Sequence, residues 1–304
     1  MPTPSVIALG FFDGVHIGHG ALLRRTAERA RELGVAPAVF TFDRPPKEVV
    51  TGVPVPLINS ARERQDIIRR LYGIENVILA PFDRQMMTLS WENFITDVLV
   101  GQYGAVAVVA GHDYHFGHKN QGDPEKLQQK CAQLGIGCDI IPKVELNGTL
   151  VSSTLIRTLL QQGDVAQAAA FLGHPHTMRQ TVQHGKRLGR TIGIPTINLA
   201  VPDHVLTPRR GVYISRVCLE GGKSYYGVTN VGIRPTVSDN GLVSVETFLL
   251  GFDGDLYGQT VRLEFFQRLR DERPFASLEE LKEQIHRDID AAYEYFRRRS
   301  INLQ

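Results

Sequence analysis

The sequence has few cysteines, no long apolar run and almost no excess charge, and each shortage argues against a class of protein. Its three cysteines, Cys131, Cys138 and Cys218, form no C-x-x-C motif, and their odd number favours reduced thiols in a cytoplasmic protein. No apolar run reaches the roughly eighteen residues of a membrane span and no basic, apolar leader is visible, so we expect neither a membrane partner nor secretion. Lysine and arginine number 34 against 32 aspartates and glutamates, which argues against a nucleic-acid partner.

What is present is a globular composition, with 304 residues of which 42% are hydrophobic and 22% charged. Strand and helix patterns alternate in the first half, and strand patterns separated by glycine turns follow after about residue 176. We therefore predict an α/β first half, a doubly wound, Rossmann-like domain over residues 1–175. The second half, residues 180–304, is predicted to be a small antiparallel β-barrel with a terminal helix.

The first half contains five short apolar runs with helical patterns between them. Strands are predicted at residues 5–9, 36–42, 77–80, 105–110 and 138–141, and helices at residues 60–72, 90–100, 126–134, 152–162 and from 164 onward. Ser60 and Glu63 form a capping box, and Gly34 predicts the end of the first helix.

The second half alternates apolar and polar residues. Strands are predicted at residues 211–219, 225–231, 244–250 and 259–269, in the manner of an antiparallel meander. Ser277 and Glu280 form a capping box for a last helix. One face of that helix carries Leu278, Leu281, Ile285 and Ile289.

Two histidines at a helix entrance are the most informative feature. His16 and His19 follow the predicted strand at residues 5–9 and a glycine-flanked turn, and residues three apart on a helix face the same way. Free N–H groups and the positive dipole end there favour a polyphosphate, and histidines can donate hydrogen bonds to a departing phosphate. The arrangement is typical of nucleotidyl transfer, although an isolated H-x-x-H also fits a satisfied polar pair or half of a metal site.

A second helix entrance supports the first. Ser152, Ser153 and Thr154 begin a predicted helix, and Arg157 lies one turn inside it. Taken separately, this is an ordinary N-cap with a solvated arginine. Two phosphate-suited entrances in one α/β domain, however, predict one converging anion site.

A third segment follows the most apolar strand, where α/β sheets bind ligands. It contains Gly111 and Asp113 together with histidines at 112, 115 and 118. Three histidines suggest zinc, but glycines interrupt the segment and no cysteine lies nearby, so we do not expect a zinc site.

These three segments resemble the adenylyltransferase half of prokaryotic bifunctional riboflavin kinase/FAD synthetases. Residues 10–19 match that family's G-x-F-D-G-V-H-x-G-H, residues 152–157 its S-S-T-x-I-R, and residues 111–117 its G-x-D-F-x-F-G. This chain differs at Phe11, at Tyr114, and at Arg44-Pro45-Pro46, where the family tends to have P-H-P.

The resemblance implies that the first half transfers AMP from ATP to FMN, giving FAD and pyrophosphate. It implies catalytic roles for His16, His19 and Arg157. The residues implied in ATP binding are Gly10, Phe12, Asp13, Gly14, Gly18, Gly111, Asp113, Ser152, Ser153 and Thr154. The terminal phosphate of FMN is largely ionised at pH 7, so this reaction needs no general base.

The second half has its own polar site. Its glycine- and cation-rich loop, which fits a flexible basic loop as well as a phosphate site, contains Gly185, Lys186, Gly189, Arg190 and Gly193. No complete G-x-x-x-x-G-K-[ST] occurs, so the loop is not a P-loop. Thr196 and Asn198 follow on one side of an extended segment, and their hydroxyl and amide oxygens suit Mg²⁺ on a nucleotide.

Glu246 is a lone carboxylate in a predicted apolar strand. Most such residues face water, but phosphorylation of a primary alcohol benefits from a carboxylate that accepts its proton. This half resembles the riboflavin kinase module in residues 185–198, 230–236 and 269–275, with Glu246 at the position of the base. The resemblance implies that Asn230, Arg270 and Phe275 contact the flavin.

The predicted enzyme therefore takes riboflavin, FMN and ATP as substrates, uses Mg²⁺, and releases FMN and FAD. Two alternatives stay open at this point. His16-Ile17-Gly18-His19 is also the signature of class I aminoacyl-tRNA synthetases, although no K-M-S-K-S occurs. The chain could also be a flavin- or nucleotide-binding regulator on the same scaffold, and the oligomeric state is left open.

Overall fold

The structure is a computed structural model that describes residues 2–185, 193–202, 204–233 and 243–299. Its contacts divide the chain into two compact units, Met1–Ser153 and Thr154–Gln304. The first is the predicted α/β fold and the second contains the predicted barrel, while the domain boundary between residues 175 and 180 stays a prediction. No helix in the described part of the chain is both long enough and apolar enough to span a bilayer.

The first unit is built on a parallel sheet. Its strands are β1 (Ser5–Leu9), β2 (Ala36–Phe42), β3 (Asn76–Ala80), β4 (Ala105–Gly111) and β5 (Gly137–Ile141), in the order β3-β2-β1-β4-β5. A two-stranded hairpin, which the sequence did not predict, pairs β6 (Glu145–Leu146) with β7 (Thr149–Leu150). The helices are α1 (Ile17–Leu33), α2 (Pro46–Thr51), α3 (Ala61–Tyr72), α4 (Arg84–Thr88), α5 (Trp91–Asn93) and α6 (Pro124–Leu134).

Helices cover both faces of this sheet, because successive strand residues point to opposite sides. Ile7 and Leu9 pack in one apolar cluster, with side chains of α6 and of the segment after α5. Val6 and Ala8 pack in the other, with side chains of α1 and α3. The doubly wound architecture predicted from the apolar runs is confirmed.

The local helix signals are confirmed where they involve neighbouring residues. The Ser60 hydroxyl accepts from the Glu63 N–H at 3.3 Å, and the Glu63 carboxylate accepts from the Ser60 N–H at 3.0 Å. Gly34 ends α1 with φ 67°. The helix predicted at 90–100 differs, because α5 continues as a π-helix over Phe94–Gln102.

The second unit is a closed six-stranded barrel with helices around it. Its strands are β8 (His176–Gln183), β9 (Thr196–Leu199), β10 (Gly211–Leu219), β11 (Ser224–Ile233), β12 (Val243–Leu249) and β13 (Thr260–Arg270), in the order β10-β11-β12-β9-β8-β13. Its helices are α7 (Ser153–Gln162), α8 (Val165–Leu172) and α9 (Leu278–Arg298). Leu278, at the first turn of α9, is 50% exposed, so the buried part of the predicted apolar face begins further along the helix.

The two faces of the barrel wall have different roles. Inside, the buried hydroxyl of Thr229 lies 2.7 Å from that of Ser215 and 2.8 Å from that of Thr247. Outside, Val212 and Val228 pack with α9. Because Glu246 is adjacent to Thr247 on β12, alternation places it on the outer face.

Candidate functional site

The first unit has a cavity of about 540 Å³ where the strand order reverses. Ala8 of β1 pairs with Val109 of β4, so the loops that follow these two strands begin side by side. Gly10, just after β1, and Gly111, the last residue of β4, both line the cavity. This is where open α/β sheets bind ligands.

His16 and His19 stack at the N-terminus of α1, with ring centroids 3.6 Å apart and planes 11° from parallel. His16 is the N-cap, and its Nδ1 accepts from the backbone N–H of His19 at 3.2 Å. An accepting Nδ1 carries no proton, so the network assigns the proton of His16 to Nε2. A side chain at Gly18 would approach the His16 ring to 3.1 Å, so glycine lets the His16 ring keep its position without a shift.

His19 is held in its neutral form. Burial lowers its pKa well below the ordinary value, and the neighbouring His16 and Arg64 lower the pKa further. Its Nδ1 is buried and, among the described residues, makes no hydrogen bond. An anionic ligand in the cavity could supply the missing partner.

The turn before the two histidines has a strained backbone, and a side chain of α3 stabilises it. Phe12 and Val15 have φ values of 57° and 44°, in a region that L-residues rarely adopt. The buried Arg64 of α3 donates to the carbonyl oxygens of Phe11 and Phe42, and its guanidinium lies 4.0 Å from the centre of the Phe11 ring. Burial lowers the pKa of Arg64 to about 10, so this group stays charged at neutral pH.

Sequence reasoning missed Arg64, although a signal existed. Arg64, Ile67 and Ile68 share one face of α3, and the two isoleucines lie in the core. A charged residue at a core position of an amphipathic helix must find partners, and here the partners are carbonyls of the loops around the site.

Asp13 is buried within the turn, and its role in ATP binding stays a prediction. Its carboxylate accepts from the backbone N–H of Ile58 at 2.9 Å and of Asn59 at 3.4 Å, and Asp13 is only 3% exposed. Ser153 donates to its carbonyl oxygen at 2.9 Å. Asp13 thus anchors the turn to the loop before α3.

The structure brings eight of the residues predicted for this site together. The cavity is lined by Gly10, His16, Gly18, His19, Gly111, Asp113, Ser152 and Ser153. Phe12, Asp13 and Gly14 are buried behind it in the turn. Thr154 and Arg157 lie on α7, in the second unit, so their contribution stays a prediction.

The three histidines of the loop after β4 do not assemble a metal site. Nδ1 of His115 lies 2.9 Å from the Asp113 carbonyl oxygen, and Nδ1 of His118 lies 3.3 Å from that of Met87. Within the described ranges, no three His, Cys, Asp or Glu side chains cluster as metal ligands would.

The second unit has a cavity of about 300 Å³ between the outer barrel wall and α9. Its apolar lining comes from both sides, with Val212, Val228 and Phe248 on the barrel and Leu281 and Ile285 on the helix. The predicted residues that line it are Thr196, Asn230, Glu246, Arg270 and Phe275.

Three predicted residues form one row across this wall. Glu246 of β12 pairs with Asn230 of β11 on one side and with Asn198 of β9 on the other. Directly paired residues in a sheet project from the same face. A half-buried carboxylate therefore lies between two amides, at the edge of an apolar cavity.

Gly185 packs closely against this row. A side chain on Gly185 would come within 2.3 Å of the Asn198 amide nitrogen, so a larger residue there would displace the Asn198 side chain. Gly193 is exposed with φ 78°. The predicted phosphate-binding residues Lys186, Gly189 and Arg190 lie outside the described residues.

The family models match both halves of the chain. The model for FAD synthetase matches residues 1–155, and the model for riboflavin kinase matches residues 172–296. A bifunctional riboflavin kinase/FMN adenylyltransferase from Pseudomonas fluorescens is 39% identical over 94% of this chain and 91% of its own length. The chain belongs to the bifunctional riboflavin kinase/FMN adenylyltransferase family. The resemblance inferred from the motifs is confirmed, and the aminoacyl-tRNA synthetase alternative is excluded.

Two further relatives cover nearly the whole chain. A protein of the same description from Bacillus subtilis is 35% identical over 96% of this chain and 92% of its own length. A crystal structure described as a macrolide-efflux protein from Streptococcus pneumoniae has a TM-score of 0.85 and 32% identity, and covers 96% of this chain and 95% of that one. That description concerns the streptococcal protein.

Proposed function

We propose that the second unit phosphorylates riboflavin with ATP, giving FMN and ADP, and that the first unit transfers AMP from a second ATP to FMN, giving FAD and pyrophosphate. The observation that carries the proposal is that each unit has its own cavity with a different kind of polar group. The first has a stacked histidine pair at a helix N-terminus, and the second has a carboxylate between two amides.

In the adenylyl transfer, the FMN phosphate oxygen attacks the α-phosphorus of ATP, and the bond to the β-phosphate breaks. The nucleophile is already ionised at pH 7, so the unit has to align two anions and stabilise the departing pyrophosphate. The Nε2–H of His16, the imidazole of His19 and the α1 N-terminus are suited to that task. Of the described residues that line the cavity, Asp113 carries a carboxylate, and it is exposed.

The kinase reaction, unlike the adenylyl transfer, needs a group that accepts a proton from the nucleophile. The ribityl 5′-hydroxyl of riboflavin attacks the γ-phosphorus and must lose its proton as the bond to ADP breaks. Glu246 is the carboxylate placed to accept that proton, and the neighbouring amides of Asn198 and Asn230 can orient it or the substrate. Apolar side chains of the barrel and α9 provide a surface for the flavin rings.

The residues present fit a magnesium ion that arrives with the nucleotide. Thr196 and Asn198 supply a hydroxyl and an amide oxygen two residues apart on β9, beside Glu246 of β12. Mg²⁺ prefers such hard oxygen ligands and usually keeps several waters and substrate phosphates, so a full protein cage is not needed. When bound, the ion would neutralise charge on the triphosphate, and Thr196 and Asn198 would hold the ion.

The test is incubation of the whole chain with riboflavin and Mg-ATP, with FMN and FAD separated by chromatography. We expect FMN to appear first and FAD after it. A regulator that only binds flavin or nucleotide would give neither product. Calorimetry with ATP should detect two sites per chain, and one site under every flavin condition would contradict the assignment of a nucleotide site to each unit.

A further inference from the structure

The helix α9 forms one wall of the kinase cavity, and it places a buried carboxylate there. Asp288 is only 5% exposed and lines the cavity together with Leu281 and Ile285 of the same helix. Neither the sequence patterns nor the motif resemblance pointed to Asp288. A buried carboxylate requires a charged or hydrogen-bonding partner, and the identity of that partner indicates what Asp288 does in the cavity.

That partner is Arg270, at the end of β13. Nε of Arg270 lies 3.1 Å from both Asp288 carboxylate oxygens, and Nη2 lies 2.8 Å from Oδ2. Gln284, one turn earlier on α9, donates to Oδ1 of Asp288 at 3.0 Å. A bidentate pair of this kind fixes the plane of the guanidinium as well as its position.

The pairing leaves part of Arg270 available to a ligand. Nη1 donates to the Asp271 carbonyl oxygen at 3.1 Å, so three of the five N–H groups are used by partners among the described residues. The guanidinium carbon is also 5.7 Å from the ring centre of Phe275, which lines the same cavity. One hydrogen on each terminal nitrogen remains for an acceptor in the cavity.

The charge of Arg270 gives a second reason for its pairing with Asp288. Riboflavin is uncharged, and a guanidinium without a carboxylate partner in this partly apolar cavity, which Glu246, Glu272 and Arg273 also line, would keep water that the flavin has to displace. Paired with Asp288, Arg270 offers oriented donors without net charge. We propose that Asp288 is a positioning residue for riboflavin, which holds the guanidinium of Arg270 where its remaining N–H groups and the Phe275 ring meet the flavin. This rests on the proposed kinase function of the cavity.

The first experiment measures riboflavin affinity by fluorescence quenching, and kinase kcat and KM, for the full chain and for Asp288→Asn, Asp288→Ala and Asp288→Glu. Loss of a charged hydrogen-bonding partner should raise the riboflavin Kd and KM about 10- to 100-fold, with kcat within about threefold. Asp288→Glu should recover part of the affinity. Asp290→Asn, at an exposed position on the same helix, is the matched control and should behave as wild type.

A purely structural role for Asp288 predicts a different result. The melting temperature would fall, but KM for riboflavin would not change in the folded fraction. Asp288→Asn keeps the size of the side chain, so it serves if Asp288→Ala does not fold. Formation of FAD from supplied FMN, a reaction assigned to the other unit, gives each preparation its internal control.

The second experiment is a double-mutant cycle with Arg270→Ala. If Asp288 acts through Arg270, then Asp288→Ala should add nothing to KM in the Arg270→Ala background. Equal effects in both backgrounds would overturn the positioning role. The positioning role would also be overturned if Asp288→Asn had a wild-type KM while Arg270→Ala was impaired. That result would leave the proposed kinase site unaffected. A wild-type KM in both variants would show that riboflavin does not bind in this cavity, and the proposal would then be wrong.

Discussion

The ring of Phe12 meets the imidazole of His19 edge-on, with centroids 5.2 Å apart and planes inclined by 61°. Phe12 is 1% exposed and belongs to the core between the sheet and α1. One side of His19 therefore contacts the protein interior, and the other contacts the stacked ring of His16. This environment explains why His19 is neutral before a nucleotide binds.

We predict that His19→Ala reduces the formation of FAD from supplied FMN about 100-fold or more, because a donor to the departing pyrophosphate is lost. Phosphorylation of riboflavin should be unchanged. Arg31→Ala, at an exposed position on the same helix, is the control. The two reactions are measured separately by chromatography, and undiminished adenylylation would remove the proposed role of His19.

Arg64 should act on His19 through its charge and on the turn through its hydrogen bonds. Arg64→Met removes the charge, so the His19 pKa should rise, which an NMR titration of the imidazole would show. Arg64→Lys keeps the charge and loses the fork that holds the Phe11 and Phe42 carbonyls. We expect both variants to lose about 3 kcal/mol of stability, with the shift in the His19 pKa confined to Arg64→Met. Equal His19 titrations in the two variants would disprove the electrostatic link.

Glu246→Gln should lower the kinase kcat by a factor of about 100 to 10,000, the usual effect of losing a general base. The amide has nearly the same shape, so the row of Asn198, residue 246 and Asn230 should remain. FAD formation from supplied FMN should be unaffected. Loss of both reactions in equal proportion would refute the division of labour between the units.

Thr196→Ala combined with Asn198→Ala should raise the Mg-ATP concentration that the kinase reaction needs, because two oxygen ligands are removed. The Mg-ATP concentration that the adenylyl transfer needs should not change. Thr181→Ala, at an exposed position on β8, is the matched control. The measurement is a magnesium titration of each reaction, and an unchanged kinase curve would rule out the metal assignment.

His176 predicts how stability depends on pH. It is fully buried at the start of β8, its ring 5.7 Å from that of Phe265, and burial lowers its pKa to about 3, with His174 adding to the shift. The unfolded chain has the ordinary pKa near 6.5 and therefore takes up the proton first as pH falls. The contribution of neutral His176 to the free energy of unfolding is therefore fully present above pH 6.5. About 2 kcal/mol of that free energy should be lost between pH 6.5 and 5.

The control for this effect is His176→Phe, which keeps an aromatic ring and removes the titrating group. Urea unfolding monitored across this pH range should show a flatter dependence in the variant than in wild type. Parallel curves would show that His176 does not titrate on unfolding.

Sequence reasoning succeeded where the signal was local. The capping box at Ser60 and Glu63 and the glycine end of α1 each depend on a few neighbouring residues. The apolar runs predicted the parallel strands, because burial on both faces leaves no polar positions. The pairing of Glu246 with Asn198 could not be predicted, since it joins segments about fifty residues apart.

The supporting residues were missed for a related reason. Arg64 and Asp288 are charged residues on amphipathic helices, and their partners lie on distant strands and loops. Only the assembled fold shows that one holds the histidine turn and the other holds Arg270. Motifs pointed to the residues that we propose for the chemistry, and long-range contacts pointed to the residues that hold them in place.

The buried hydroxyls of Ser215, Thr229 and Thr247 hydrogen-bond to one another inside the barrel, among buried apolar side chains such as Tyr213 and Phe265. The barrel interior is thus packed, and the cavity proposed for riboflavin lies on the outer wall, against α9. Changes on α9 can therefore alter which ring systems fit without touching the strands that hold Glu246, so ligand choice and scaffold integrity can vary independently.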